Sequence, residues 1–467
     1  MSKIDVSVKD FPSLFKMRNP LVIPDYQRPY VWGMEKTEEL LNDLQEFFFN
    51  ERKVSAYYMG SILLYRNTID ATYEIIDGQQ RITTLLLMKY LLENHLDDRH
   101  RIKFNSYLSF KSIREAATFL NSREEILQSL YNEDFFNHLE FTVIITNTED
   151  EAFTFFDTQN NRGVKLSATD FLKAYHLRNI ESPHLQESSA IIWEKAQSID
   201  QAGTFMNFMF DKVLWRARNW RGNSCRLYDN MDKQIRDTFQ KDTHEAKEDS
   251  YPVFHCISNK KIEQVQWNDD GNFSAVNADL NQQSPENLPF TIRQPIYKGM
   301  NFFKYAEKYT AVYETLFVLE STSVEINILR DFYKKVYTGD MSEYLRHFMQ
   351  LCLIFYFDNF GTNELGKAIW CFDYAIGSIR ISKQQIKNEA PKKFLNENRL
   401  NLLDLISSSY LPDEVFKFIY QNERLESIYF DEEIEDGVGV QGRYKSRLKK
   451  YFGRTDETLQ SRKNWII

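Results

Sequence analysis

The chain has 467 residues, 42% of them hydrophobic and 15% aromatic, with a net charge of -9 from 58 basic and 67 acidic side chains. That length exceeds one ordinary core and predicts two or three domains, and the apolar content excludes disorder over most of the chain. The acidic balance excludes a protein that coats nucleic acid by bulk charge, so any contact with DNA must come from local basic patches.

The first ~180 residues mix strand and helix patterns. LVIPDYQRPYVW (21–32) begins as a short strand and turns aromatic. EKTEELLNDLQEFFF then sets Leu40, Leu41, Leu44, Phe47 and Phe48 at helical spacing. YYMGSILLYR (57–66) and TYEIID (72–77) are β-rich runs around a polar turn and predict a hairpin. A helix comes next over about 80–94, then one or two more through 131. HLEFTVIITN (138–147) reads as another strand, and a short helix, EDEAFTFFD, leads into TQNNRGVKLSATDFLKAYHL. Beyond 180 the pattern is almost wholly helical, except for a polar, charge-rich stretch at 241–296 that reads as long loops. The expected architecture is α+β: an N-terminal α+β domain (1–180) followed by a large mainly helical region (181–467).

The four cysteines, Cys225, Cys256, Cys352 and Cys371, show no metal-ligand spacing, so structural zinc is not expected. The opening MSKIDVSVKDFPSLF lacks the apolar core of a signal peptide, and no run of about 18 apolar residues occurs. A soluble, cytoplasmic protein without a membrane span is the expectation.

Three polar stretches carry the candidate chemistry. In IIDGQQRITTLLLM (75–88) a strand end and a helix start are separated by Asp77, Gly78, Gln79, Gln80 and Arg81. Asp77 as N-cap with Gln80 three residues later makes a capping box, which needs no ligand. Arg81, however, puts a cation in the first helical turn against the macrodipole, a cost of about 0.3–1 kcal/mol that a nearby anion would reverse. Helix N-termini after strands are ready phosphate sites, although no GxxxxGK[ST] loop is present. Spacing alone leaves capping and phosphate binding both open.

In IPDYQRPYVW, Tyr30 and Trp32 read as packing residues, and Tyr26 suits stacking on a base. Gln27 and Arg28 are polar groups in an apolar setting that need a partner, either a phosphate or a carboxylate such as Asp77. In FFDTQNNRGVKLSATDFLKAY, Ser167 and Asp170 make a capping box. Asn160, Asn161, Arg162 and Gly163 form a tight turn before it, with Lys165 and Lys173 nearby. Either an ordinary Asn-Gly turn or contact with a polyanion or nucleobase accounts for them.

Together these stretches resemble the N-terminal, ParB/sulfiredoxin-like domain of the GmrSD-type restriction endonucleases. That family is marked by IPxYQRxYxW, a DGQQR turn and FxxxNxRGxxL, which stand here in order as IPDYQRPYVW, IIDGQQRITTL and FFDTQNNRGVKL, with MGSILL between the first two. The likeness covers the first ~180 residues and extends less specifically through IRQPIYKGMNFF. It implies a nucleotide-binding and nucleotide-hydrolysing domain in prokaryotic defence against modified phage DNA, using an NTP with Mg²⁺. On the matching positions it implies catalytic roles for Asp77, Gln79, Gln80 and Arg81. Nucleotide contacts would come from Tyr26, Gln27, Arg28, Gly78, Asn161 and Arg162, with the two arginines as phosphate clamps and Asp77 positioning a water or metal ion. Relatives often carry a C-terminal HNH nuclease. Here none of the eight histidines lies after His347 and none forms such a motif. Either a partner subunit supplies the nuclease or the domain serves something other than cutting. A ParB-like DNA-binding protein switched by nucleotide is the alternative.

Two basic stretches are candidates for DNA. LWRARNWRGNSCR offers Arg216, Arg218, Arg221 and Arg226 beside Trp215 and Trp220, and RYKSRLKKYFGR (443–454) holds six basic residues including Lys449 and Lys450. The bland reading of both is a solvated helix face.

Overall fold

The computed structural model describes residues 4–24, 27, 29–49, 56–104, 107–132, 134–148, 167–180, 182–200, 203–241, 265–267, 273–275, 284–288, 290–398 and 400–466. The chain divides into two compact units, Met1–Phe205 and Met206–Ile467.

The first unit is α+β. Its strands are β1 (Asp5–Asp10), β2 (Leu21–Val22), β3 (Tyr57–Asn67), β4 (Thr72–Asp77) and β5 (Leu139–Thr146). They form one mixed sheet in the order β1-β5-β3-β4-β2. The expected hairpin is the antiparallel β3/β4 pair, whereas β3/β5 and β4/β2 are parallel. A parallel β3/β5 pair requires a crossover. It is supplied by α3 (Gln79–Glu93), α4 (Tyr107–Ser122) and α5 (Glu124–Leu130), which come after α1 (Phe11–Phe15) and α2 (Met34–Phe49). These helices cover one sheet face, and Leu44, Ile62, Ile75, Ile82, Leu85, Leu120, Phe141 and Val143 are among the residues of that core. The opposite face holds a small cluster of Leu63, Ile76 and Ile144, against which Phe171 packs from α6 (Ala168–Arg178). Ser167 caps α6 with the expected capping box to Asp170, and α7 (Pro183–Gln197) comes next.

β3 is irregular where it pairs with β5, its register shifting between Tyr58 and Ser61. Gly60 lies in this bulge with φ +97°. A Cβ there would stand 2.3 Å from Nη1 of Arg81. Gly60→Ala is therefore expected to destabilise this unit by about 2 kcal/mol, combining backbone strain with displacement of the arginine. Urea unfolding measures it, and an unchanged midpoint would contradict the fit described.

The second unit is almost wholly helical. Its centre is made by helices Glu343–Phe360 and Leu365–Ser382, most of whose residues are buried, the first turn of Glu343–Phe360 excepted. Residues 290–296, within the stretch expected to be loop, are anchored rather than loose. Phe290, Ile292 and Ile296 are buried, and Arg293 pairs with Asp404 at 2.6 Å. Most of 241–283 lies outside the described residues, apart from a short antiparallel pair, Val265–Trp267 with Phe273–Ala275. Among the described residues no helix is long and apolar enough to cross a membrane.

Candidate nucleotide site

The turn at 77–81 is built differently from its capping-box spacing. β4 runs through Asp77, and Gly78, at φ +100°, takes the N-cap position of α3 with no side-chain cap. A Cβ on Gly78 would stand 2.9 Å from Ile62, so both the backbone conformation and the close approach call for glycine. The expected Asp77–Gln80 capping box is absent. Asp77 instead faces Arg81, Oδ2 to Nη2 at 3.4 Å. With no side chain over it, the first turn of α3 keeps its amide donors for another acceptor.

The three polar side chains after Gly78 point to three different neighbours. Arg81 donates to the carbonyls of Met59 and Ser61, both at 2.7 Å, and so fills the β3 bulge. Its charge is met by those dipoles and by Asp77, which removes the electrostatic argument that it needs a phosphate. Gln80, 6% exposed, accepts at Oε1 from the N–H of Val31 and Trp32 and donates from Nε2 to the Pro29 carbonyl. Gln79, 4% exposed, is the exception: its Oε1 is buried with no hydrogen-bond partner. An unpartnered buried acceptor costs about 1–3 kcal/mol and calls for an explanation such as a ligand.

Gln79 lines a small cleft that is partly open to solvent. Pro24, Gln27 and Pro29 form one wall, Lys103, Phe104 and Ser109 another, and Lys173 of α6 with Ile191 and Glu194 of α7 a third. Gln27 is positioned by donating from Nε2 to the carbonyls of Ile75 (3.0 Å) and Ile76 (2.6 Å). Gln27 thus meets the backbone of β4 just before Asp77 rather than the Asp77 carboxylate. Tyr30 is fully buried, its N–H on Ser109 Oγ and its hydroxyl on Thr84, with burial raising its phenol pKa. Lys173 is paired with Glu194 at 2.5 Å, both nearly buried.

Of the residues expected to bind or act on nucleotide, the structure brings Gln27 and Gln79 to the cleft. It puts Gln80 beneath the 29–32 segment and Asp77 with Arg81 on the β3 side. Tyr26, Arg28, Asn161 and Arg162 lie outside the described residues. Sequence reasoning noted Lys173 only as nearby charge and missed Lys103, Ser109 and Glu194. A lysine six residues after a Ser cap was the available signal for Lys173.

The basic stretches are largely spent on internal contacts. Arg216 is 2% exposed, its guanidinium 4.8 Å from the Trp220 ring and burial lowering its pKa. Arg218 donates to the carbonyls of Ile292 and Gln294 and stacks near Phe239. In helix Gly439–Phe452, Lys449 is 8% exposed and pairs with Asp436, while Arg443 and Arg447 both pair with Asp340. Arg216 and Lys449 are therefore buried, and Arg218 is half-buried with its guanidinium held by backbone carbonyls. Arg221 and Lys450 remain exposed.

Residues 11–177 match the GmrSD restriction endonuclease N-terminal domain, and this part of the chain is a domain of that type. The region C-terminal to it matches a family of unknown function rather than an HNH domain. Residues 185–436, more than half of the chain, match a family of unknown function (DUF7834), and the protein belongs to that family. No curated protein matches the chain.

Proposed function

We propose that this protein is a nucleotide-binding and nucleotide-hydrolysing component of a restriction system acting on modified phage DNA, with the nuclease supplied by a partner subunit. The observation that carries the nucleotide reading is Gln79, a buried carboxamide with an unanswered oxygen, on the uncapped first turn of α3 and facing a cleft. Gln79 receives a hydrogen bond from the ligand, while Lys103 and Lys173 offset phosphate charge. Arg28, Arg162, Asn161 and Tyr26 are the further contacts that the family resemblance assigns. Gln80, Gln27, Arg81 and Asp77 act by holding the 29–32 segment, β4 and β3 in place around the cleft. Among the described residues no group of three His, Cys, Asp or Glu could hold a metal. Mg²⁺ would then arrive on the phosphates with few protein ligands, as is usual for that ion. Among the exposed residues of the described basic stretches, Arg221, Arg226 and Lys450 are the ones placed to meet DNA.

One observation favours binding without turnover. Among the described residues lining the cleft, the buried carboxylate, Glu194, is tied to Lys173 and so does not stand ready as a base, and Glu187 is exposed to solvent. That arrangement suits a ParB-like, nucleotide-switched DNA-binding protein.

Phosphate release from the full chain with each NTP and Mg²⁺, with and without modified DNA, separates the two. Turnover is expected, falling by about 100-fold in Gln79→Ala, the scale of one lost preorganised contact, with the melting temperature unchanged or raised. Undiminished turnover in the variant would move the site elsewhere. Nucleotide binding with no turnover under any condition would establish the switch.

A further inference from the structure

One long edge of the N-terminal sheet has no partner strand among the described residues. β1 ends the strand order on its side and pairs only with β5, in an antiparallel ladder from Asp5 to Asp10 without a register shift. The opposite edge, β2, is only two residues long. An uncovered edge strand presents free N–H and C=O groups to any strand that can lie beside it. Asp5 to Val8 are all exposed, Val6 at 64% and Val8 at 63%. Neither proline nor a bulge, two common protections of an edge, occurs in β1. What remains is charge, at Asp5, Lys9 and Asp10. Asp10 is engaged by the Ser13 N–H at the start of α1, whereas Lys9 has no ion pair among the described residues.

We infer that β1 is the interface of a homodimer, in which two copies of this chain pair antiparallel through their β1 edges about a two-fold axis at Ser7. Edge charges oppose such pairing only where like meets like. Centred on Ser7, the strand is complementary to itself: Asp5 faces Lys9 of the second copy, Val6 faces Val8, and Ser7 faces Ser7. Side chains alternate across a strand, so the four valines gather on the face that carries Ile144, which is directly opposite Val6 on β5. The two ion pairs lie on the other face. Arg66 engages Oδ2 of Asp5 at 3.0 Å, leaving Oδ1 for the lysine. A slip of one residue sets the valines against polar side chains and loses both ion pairs, so one register is singled out. The two five-stranded sheets thereby become one continuous sheet. Six residues a side make a smaller contact than the roughly 1,600 Å² of a standard stable interface, so the dimer is reversible and concentration-dependent.

The test is sedimentation of the full chain, without nucleotide, from low to high micromolar concentration. The mass of the wild type should rise toward twice that of one chain. Lys9→Asp sets aspartate against Asp5 of the other copy, and Asp5→Lys sets lysine against Lys9. Each variant alone should dimerise at least about tenfold more weakly, since two cross-strand pairs turn from attractive to repulsive. An equimolar mixture of the two variants should dimerise as the wild type does, because both pairs across the mixed interface are again opposite in sign. A folding defect cannot imitate that recovery. Ser7→Cys adds a geometric check: it should cross-link to itself under mild oxidation, its counterpart lying directly across the axis. A wild type that stays monomeric at every concentration would leave the edge to another protein or to none, and overturn the inference. A dimer indifferent to Lys9→Asp and Asp5→Lys, or a mixture that fails to recover, would place the contact elsewhere and overturn it as well.

Discussion

Replacing Gln80 with alanine is expected to destabilise the N-terminal unit by about 3 kcal/mol, the largest effect of any single change in the 77–81 turn. The side chain makes three hydrogen bonds to a segment about fifty residues away: from Val31 N–H at 2.9 Å, from Trp32 N–H at 3.2 Å and to the Pro29 carbonyl at 3.1 Å. Truncation leaves those backbone groups without their partner, and each buried group so orphaned costs about 1–3 kcal/mol. In a unit of this size the melting temperature should fall by about 10 °C. Amide exchange adds a local readout, since the Val31 and Trp32 amides lose their acceptor and should exchange faster while the β3/β5 amides do not. A melting temperature within a degree of wild type, with Val31 and Trp32 still protected, would show that Gln80 does not hold the segment. The same change should weaken nucleotide binding, because Pro29 is a wall of the cleft.

Arg462→Ala is the second large effect, in the helical unit. Arg462 and Asp373 are both completely buried and pair at 2.9 Å, and the other Asp373 oxygen accepts from Tyr444 at 2.8 Å. The guanidinium also sits 4.7 Å from the Phe452 ring. Removing the arginine leaves a buried carboxylate unpaired, which costs about 3–5 kcal/mol. The loss should depend on pH in a defined direction. Burial already raises the Asp373 pKa above its ordinary value near 3.8, with Arg462 opposing the rise. Without Arg462 the rise is larger, and a carboxyl with a raised folded-state pKa loses stability as pH increases through that value. The deficit should therefore be smaller around pH 4, where the pH-independent cost of the lost packing remains, and larger near neutrality. A deficit equal at pH 4 and pH 8 would mean that lost packing, not the unpaired charge, explains the variant. Adding Asp373→Asn should recover much of the loss at neutral pH, and failure to do so would carry the same message.

Much of the fold was legible in the sequence. The β3/β4 hairpin, β5, α2 and α3 come from strand alternation and helical spacing in runs long enough to be read. The Ser167–Asp170 capping box was legible because both partners lie within one turn. The misread turn at 77–81 shows where such reading stops. Asp-x-x-Gln has capping-box spacing whatever the backbone does. Here β4 extends through Asp77 and Gly78 adopts a left-handed conformation, so the first turn of α3 starts one residue late. The arginines of LWRARNWRGNSCR were ambiguous for a related reason. A guanidinium beside tryptophans looks the same in sequence whether it faces DNA or is itself buried, and Arg216 is covered by Trp220 from its own segment.

Residue type and local spacing were enough for the α+β character of the first unit, the helical character of the second and the three ordered motifs that mark a GmrSD-type N-terminal domain. What each polar side chain does was settled by packing between segments distant in the chain. Successive residues on a helix point about 100° apart, so Gln79, Gln80 and Arg81 meet a cleft, the 29–32 segment and the β3 bulge respectively. Two of those side chains found partners and one did not. That difference depends on chain segments roughly twenty to fifty residues distant in sequence, and no local pattern encodes it.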